Sequence, residues 1–113
     1  MKKVSESGVK FKSGDWGPKY LIQGPYWEGG IAVIKPGGPT LTTHYHNEVT
    51  EAFYFIEGNG KILIDDVAYE VGPGDLVYVE PKERHALIND GEKNLKCFFI
   101  KCPYKPEDKV ECK

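Results

Sequence analysis

Apolar and polar residues alternate in short segments along most of the chain, and glycine or proline separates one segment from the next. Alternation of this kind predicts β-strands that bury one face. No segment carries the sustained apolar period of about 3.6 residues that a long amphipathic helix needs. The pattern predicts nine strands, at about Lys19–Ile22, Ile31–Lys35, Thr40–His46, Glu51–Glu57, Lys61–Ile64, Val67–Val71, Leu76–Val79, His85–Asn89 and Leu95–Cys102.

The residues between these segments predict tight turns and therefore mostly antiparallel neighbours. Asp65 and Asp66 alone separate two strands, and glycine or proline punctuates the segments 35–39, 57–61 and 72–75. Many short antiparallel strands favour an all-β sandwich or closed barrel, since closure removes exposed sheet edges. We expect one domain of 113 residues, with a barrel core at about 19–102 and with residues 1–15 and 103–113 as arms.

Composition narrows the class of protein without naming it. The chain is 40% hydrophobic and 28% charged, with a net charge of −2 and no basic stripe, so nothing indicates nucleic-acid binding. The first residues lack the apolar stretch of a signal peptide, and no apolar run is long enough to span a membrane. Cys97, Cys102 and Cys112 form no CxxC pair. We therefore expect reduced thiols and a cytoplasmic protein, with Cys97 in the core.

The histidines carry the clearest chemical signal. His44 and His46 are two residues apart, so they share one face of a strand. Glu51 opens the next predicted strand, and a hairpin through residues 47–50 would return it beside them. His85 opens a later strand that we expect across the barrel. Two imidazoles and a carboxylate that point inward make three ligands of a metal site, whereas an isolated HxH pair is more often two ordinary half-buried histidines.

The spacing of these residues resembles the two motifs of the cupin family. The first motif, G(x)5HxH(x)3–4E(x)6G, matches fully, and the second, G(x)5PxG(x)2H(x)3N, departs at two positions, with proline one residue late at Pro81 and no glycine between Pro81 and His85. The matching positions are Gly38, His44, His46, Glu51 and Gly58 in the first motif and Gly74, His85 and Asn89 in the second. The resemblance implies an antiparallel jelly-roll barrel in which His44, His46, Glu51 and His85 bind one divalent metal ion.

Three neutral imidazoles and one carboxylate suit Mn, Fe, Co, Ni, Cu or Zn better than Ca or Mg. Similarity to cupins implies a metal-dependent enzyme that acts on a small polar or acidic substrate, as a dioxygenase, decarboxylase or sugar isomerase. The alternative is a cupin that binds or senses a sugar or small acid without turnover, because no general base is obvious beyond the ligand set. The family also implies a homodimer, with Trp16, Tyr20 and Trp27 as candidate contacts.

Several further residues are candidates for the site. Phe53 and Phe55 share the inward face of Glu51 and are expected to line a pocket. Tyr54, Tyr78 and Glu48 are candidates for proton transfer, and Glu48 is also the rival carboxylate ligand. Arg84 is the best candidate for holding an anionic substrate, ahead of Lys35 and Lys82, although surface charge is the simpler reading of all three. Asn89 is expected to be a structural, hydrogen-bonded residue.

Overall fold

Ten short strands make up the computed structural model, in which residues 1–37 and 42–112 are described. Gly38 of the first motif, and the start of the strand predicted from Thr40, lie outside these residues. One 3₁₀ turn covers Glu6–Gly8. The strands are β1 (Gly17–Gln23), β2 (Glu28–Ile34), β3 (His44–His46), β4 (Thr50–Glu57), β5 (Gly60–Ile64), β6 (Val67–Val71), β7 (Leu76–Val79), β8 (His85–Ile88), β9 (Leu95–Cys102) and β10 (Lys109–Glu111).

The strands form two five-stranded sheets. One sheet has the order β1-β2-β9-β4-β7 and the other the order β10-β3-β8-β5-β6. Among the described residues, neighbouring strands within each sheet pair antiparallel. Neighbours that are distant in sequence, such as β2 and β9, give the jelly-roll arrangement. The predicted all-β fold class is therefore confirmed.

The chain ends differ from the predicted arms. The tail beyond residue 103 supplies β10, whose Val110 pairs with Tyr45 of β3 and covers that edge of the sheet. A three-residue strand with a charged residue at each end is too short to be predicted from alternation of apolar and polar residues. At the other end, Lys12, Ser13 and Trp16 line the barrel cavity. Both ends of the chain thus contribute to the barrel.

The interior changes from polar to apolar along the first sheet. On β9, alternation turns Leu95, Cys97, Phe99 and Lys101 inward. The apolar end holds the residues that pack most tightly, and Phe55 and Leu95 are fully buried there. The other end carries charged side chains, so the polar residues of the interior lie together at one end of the barrel. The buried core cluster comprises Ala32, Ile34, Phe53, Phe55, Ile62, Val71, Val79, Leu87, Leu95, Cys97 and Phe99.

Turn chemistry explains two of the connections. Asp65 and Asp66 both have positive φ, at 47° and 70°, as expected of the two central residues of a type I′ hairpin between β5 and β6. Gly58 has φ of 80°, and a side chain at this position would collide with the Asn94 carbonyl. The glycine that closes the first motif is therefore required by its backbone conformation and by close packing.

The remaining features concern membrane-spanning helices and the cysteines. None of the described residues forms a helix long and apolar enough to cross a bilayer. All three cysteines are free thiols, and burial raises the pKa of the Cys97 thiol to about 12. Cys97 thus behaves as a core residue, as predicted.

Candidate metal centre

Four buried side chains meet at the polar end of the barrel. They are His44 and His46 from β3, His85 from β8 and Glu51 from β4. One potential ligand atom from each lies within 4.8 Å of all the others. The sequence correctly predicted that these four residues would lie together.

The route by which they meet differs from the prediction in two ways. β3 and β4 do not form a hairpin: they belong to different sheets, and Glu51 reaches the histidines across the barrel interior. His85 does not lie across the barrel, because it pairs directly with His44 on the neighbouring strand. Asp108 accounts for the first difference, since its carboxylate accepts hydrogen bonds from the backbone N–H groups of Glu48 and Val49 and holds the link as a corner.

Hydrogen bonds to the backbone orient two of the imidazoles. His44 Nδ1–H donates to the Thr42 carbonyl at 2.8 Å, and His85 Nδ1–H donates to the Glu83 carbonyl at 3.1 Å. Because a carbonyl only accepts, each ring carries a proton on Nδ1, so Nε2 is the atom that each ring can offer to a metal ion. This is the tautomer that a metal-ligating histidine needs.

The three Nε2 atoms converge on one carboxylate oxygen. Glu51 Oε1 lies 3.1 Å from His85 Nε2, 3.2 Å from His46 Nε2 and 3.9 Å from His44 Nε2. His46 differs from the other two rings, because its buried Nδ1 has no hydrogen-bond partner among the described residues. His46 therefore relies on the cluster itself for its orientation.

The electrostatics of the cluster follow from burial and from these contacts. Burial alone would raise the pKa of Glu51, but its hydrogen bonds with the three histidines and the charge of Lys101 hold that pKa well below its usual value. Burial lowers the pKa of His44 and favours its neutral form. The cluster thus combines an ionised carboxylate with an imidazole that resists protonation.

This donor set fits a divalent transition metal ion. Three imidazole nitrogens and one carboxylate oxygen converge here, and a cation bound among them would take the place of the protons that these atoms otherwise share. Imidazole nitrogen and carboxylate oxygen are the ligands that Mn, Fe, Co, Ni, Cu and Zn accept in proteins. Glu48, the rival carboxylate, is exposed in the corner after β3 and contacts Lys105 instead.

A cavity of about 260 Å³ opens beside the cluster. His44, Glu51 and His85 form part of its wall, and Phe53 packs against the His85 ring with centroids 5.9 Å apart. Phe53 therefore lines the cavity as predicted. Phe55 is fully buried one step deeper and belongs to the core.

The cavity also contains polar residues that were not predicted from the sequence. Lys101 Nζ donates a hydrogen bond to the Tyr20 hydroxyl at 2.9 Å, and both residues line the cavity. They also border a second cavity of about 260 Å³ on the His46 side. The segment Leu95–Cys102 is apolar on both faces, so its pattern did not show that Lys101 points inward. The register of Lys101 opposite Glu51 fixes that orientation.

The other predicted candidates lie away from the cluster. Tyr54 and Tyr78 are 47% and 58% exposed on the outer face of their sheet, because they alternate with the inward residues of β4 and β7. Arg84 also faces outward and pairs with Asp65 and Asp66. None of these three side chains lines the cavity at the cluster.

The remaining candidates have structural surroundings. Asn89 is buried, and its side-chain amide donates to the carbonyls of Ile34 and Lys93 at 2.8 Å, as expected of a structural residue. Lys35 pairs with Asp15 on the surface. Lys82 is likewise exposed.

The predicted dimer contacts separate into two groups. Trp16 and Tyr20 line the cavity, so they serve the interior of the barrel. Trp27 is 36% exposed and stays available for a contact.

Comparisons with known proteins agree with the fold and the site. Residues 30–101 match the family model described as the cupin domain. The chain is 36% identical over 75 residues to an uncharacterized protein of Methanocaldococcus jannaschii, and the match covers 66% of this chain and 58% of that protein. It is 33% identical over 100 residues to L-ectoine synthase of Rhodococcus opacus, covering 84% of this chain and 74% of the synthase.

A solved structure extends the likeness to nearly the whole chain. An uncharacterized conserved protein with a double-stranded β-helix domain from Klebsiella pneumoniae superimposes with a TM-score of 0.85 at 14% identity. The match covers 100% of this chain and 98% of that one. At this identity the likeness shows a shared fold.

Proposed function

Since the chain belongs to the cupin family, we propose that it is a metal-dependent enzyme that acts on a small molecule bound in the barrel cavity. The observation that carries the proposal is the buried cluster of His44, His46, Glu51 and His85 at the cavity wall. A divalent transition metal ion held by these residues would supply Lewis acidity or redox capacity to the bound molecule.

The protein's own residues prepare the site in three ways. The carbonyls of Thr42 and Glu83 hold two imidazoles in the ligating tautomer. Apolar side chains, including Phe53 and Phe99, form part of the cavity wall beside the cluster. A cavity of about 260 Å³ lies below the roughly 300–1,000 Å³ of pockets for drug-sized ligands, which favours a small substrate.

The names of two relatives support an enzymatic role. One is the L-ectoine synthase of Rhodococcus opacus, and another is quercetin 2,3-dioxygenase of Bacillus subtilis, which is 27% identical over 89 residues and of which the match covers 26%. These names describe different reactions. We therefore propose assays of all three expected reaction classes, with O2-dependent oxidation, decarboxylation and sugar isomerisation measured for each metal.

A second candidate is a cupin that binds or senses a small molecule without turnover. The observation that favours it is the outward position of Tyr54, Tyr78 and Glu48, which removes the predicted proton-transfer groups from the cavity. Metal-dependent consumption of O2 or of a candidate acid would exclude this role. A cytoplasmic location and a homodimer stay predictions, and the solution mass from analytical ultracentrifugation checks the second.

Elemental analysis of the purified protein tests the metal site. We expect about one transition metal ion per chain, and a large loss of metal in His46→Ala because one of four ligands is removed. Glu48→Gln is the control, since this exposed carboxylate lies outside the cluster. Full metal retention in His46→Ala, or an empty wild-type protein after incubation with Mn, Fe, Ni and Zn, would contradict the proposal.

A further inference from the structure

Three charged residues lie side by side across the inner face of the first sheet. Glu28 of β2 is directly opposite Lys101 of β9, and Lys101 is directly opposite Glu51 of β4. Side chains at directly opposite positions have Cβ atoms about 4.5–5.5 Å apart. Lys101 is thus the immediate neighbour of a proposed metal ligand, on the same side of the sheet.

The ammonium of Lys101 has hydrogen-bonding capacity to spare. Its side chain is only 14% exposed, and its Nζ donates to the Tyr20 hydroxyl at 2.9 Å. The nearest oxygen of Glu28 is 3.8 Å away, too far for a hydrogen bond. An ammonium group has three donors, and the described residues take one of them. A largely buried ammonium with unspent donors at a cavity wall fits an anionic ligand.

Tyr20 adds a second donor beside the first. Its ring packs edge-on against Phe99 with centroids 5.3 Å apart, which fixes the ring in the cavity wall. Its oxygen accepts the hydrogen bond from Lys101, and its own O–H finds no acceptor among the described residues. Lys101 Nζ and the Tyr20 hydroxyl oxygen are 2.9 Å apart. They can therefore donate hydrogen bonds to the two oxygens of a single ligand group.

The charge at this place depends on the metal ion. Glu28 and Glu51 flank Lys101, so the three residues together carry a formal charge of −1, and a divalent ion at the cluster changes this to +1. Two more lysines and one glutamate, Lys12, Lys109 and Glu111, line the same cavity. Anion binding at Lys101 is favoured once the metal ion is present.

From this arrangement we infer that Lys101 and Tyr20 form a carboxylate-binding subsite, and that the substrate is a small carboxylic acid. The carboxylate lies on Lys101 and Tyr20, while a second oxygen or nitrogen group of the same molecule reaches the cluster. One ammonium and one hydroxyl match the two oxygens of a carboxylate. The inference rests on the proposed function, because it takes the cluster to be the metal centre.

Malonate tests the subsite, because it offers one carboxylate to Lys101 and Tyr20 and a second carboxylate to the cluster. We expect isothermal titration of the zinc-loaded protein to show binding that Lys101→Met weakens about 10–100-fold, the value of a hydrogen bond to a charged group. Tyr20→Phe, which removes only the hydroxyl, is expected to weaken it about 3–10-fold. Lys61→Met is the matched control, since Lys61 pairs with Asp90 on the surface outside the cavity.

The same experiment separates the possible failures. Zinc content and thermal unfolding are measured for every variant, and Lys101→Arg and Tyr20→Phe keep the test valid if Lys101→Met does not fold. Unchanged malonate affinity in Lys101→Met with full zinc would overturn the subsite, as would zinc-loaded wild type that does not bind malonate. Tighter, Lys101-dependent binding of inorganic phosphate would overturn the carboxylate assignment. A wild-type protein that binds none of Mn, Fe, Ni and Zn would instead overturn the proposed function.

Discussion

Replacing Glu51 by glutamine is expected to remove most of the stability that the protein gains from a metal ion. Glutamine keeps the size and shape of the side chain but removes the charge and one acceptor oxygen. Glu51 is the one carboxylate in the cluster, and its Oε1 lies 3.1 Å from His85 Nε2. We therefore expect the variant to fold normally and to bind the ion much more weakly.

The size of the effect follows from the chain length. An ion at about a thousand times its dissociation constant stabilises the folded state by about 4 kcal/mol. Unfolding entropy of about 2.1 cal/mol/K per residue gives about 0.24 kcal/mol/K for 113 residues, so the melting temperature should rise by about 17 °C. Loss of an outer-shell partner already weakens metal binding by about 10–100-fold. If the loss of Glu51 costs about 100-fold, a rise of about 6 °C remains.

Thermal unfolding followed by circular dichroism, with and without zinc or manganese, measures both values. Glu57→Gln is the control, because Glu57 is an exposed carboxylate at the other end of the same strand and its loss changes the net charge equally. We expect Glu57→Gln to show the full wild-type rise. If Glu51→Gln also shows the full rise, Glu51 is not a ligand and the metal site is wrongly assigned.

Three further predictions concern other residues of the fold. Asn89→Ala removes the side-chain donor to the buried Ile34 carbonyl, so it should lower the free energy of unfolding by about 1–3 kcal/mol and leave the metal content unchanged. Metal loss without destabilisation would make Asn89 a ligand. Phe55→Ala should lower the free energy of unfolding, measured with denaturant, by about 3–5 kcal/mol, and Tyr54→Ala at an exposed position should lower it by less than about 1 kcal/mol. Equal losses would contradict the assigned faces of β4. Burial and a pKa raised to about 12 should protect Cys97 from a maleimide that labels exposed Cys102, as mass spectrometry of labelled peptides can show.

Much of the fold could be predicted from the sequence because strand alternation and turn chemistry are local properties. The strands at Val67–Val71, Leu76–Val79 and Leu95–Cys102 have the predicted bounds, and the two-residue turn at Asp65 and Asp66 has the expected φ values. These features depend on residues that are neighbours in the chain. Long-range pairing was harder to predict.

The link between β3 and β4 shows why. Four residues between two predicted strands resemble a hairpin, yet the chain turns a corner there and enters the other sheet. Asp108 holds this corner although it lies about sixty residues further along the chain. Its carboxylate accepts hydrogen bonds from the backbone N–H groups of the link. A local pattern contains no information about such a partner. The sequence therefore predicted which ligands meet but not the sheets that bring them together.

Lys101 presents the opposite difficulty, because its surroundings were locally ambiguous. Both faces of β9 carry apolar residues, so either Phe98 and Ile100 or Phe99 and Lys101 satisfy an alternating pattern. Only the pairing of Lys101 with Glu51 decides which set faces the cavity. A lysine at such a position is interpreted as a surface residue unless its partner on the neighbouring strand is known.

An ion at the cluster would connect the two sheets of the barrel. His44 and His85 belong to one sheet and Glu51 to the other, so an ion held by all three joins the two sheets at their polar end. The apolar end needs no such link, because Phe55 and Leu95 fill it. Apolar packing is thus concentrated at one end, and the candidate metal site lies at the other. Substitutions at positions such as Lys101 can therefore change what the cavity binds without disturbing the core that holds the fold together.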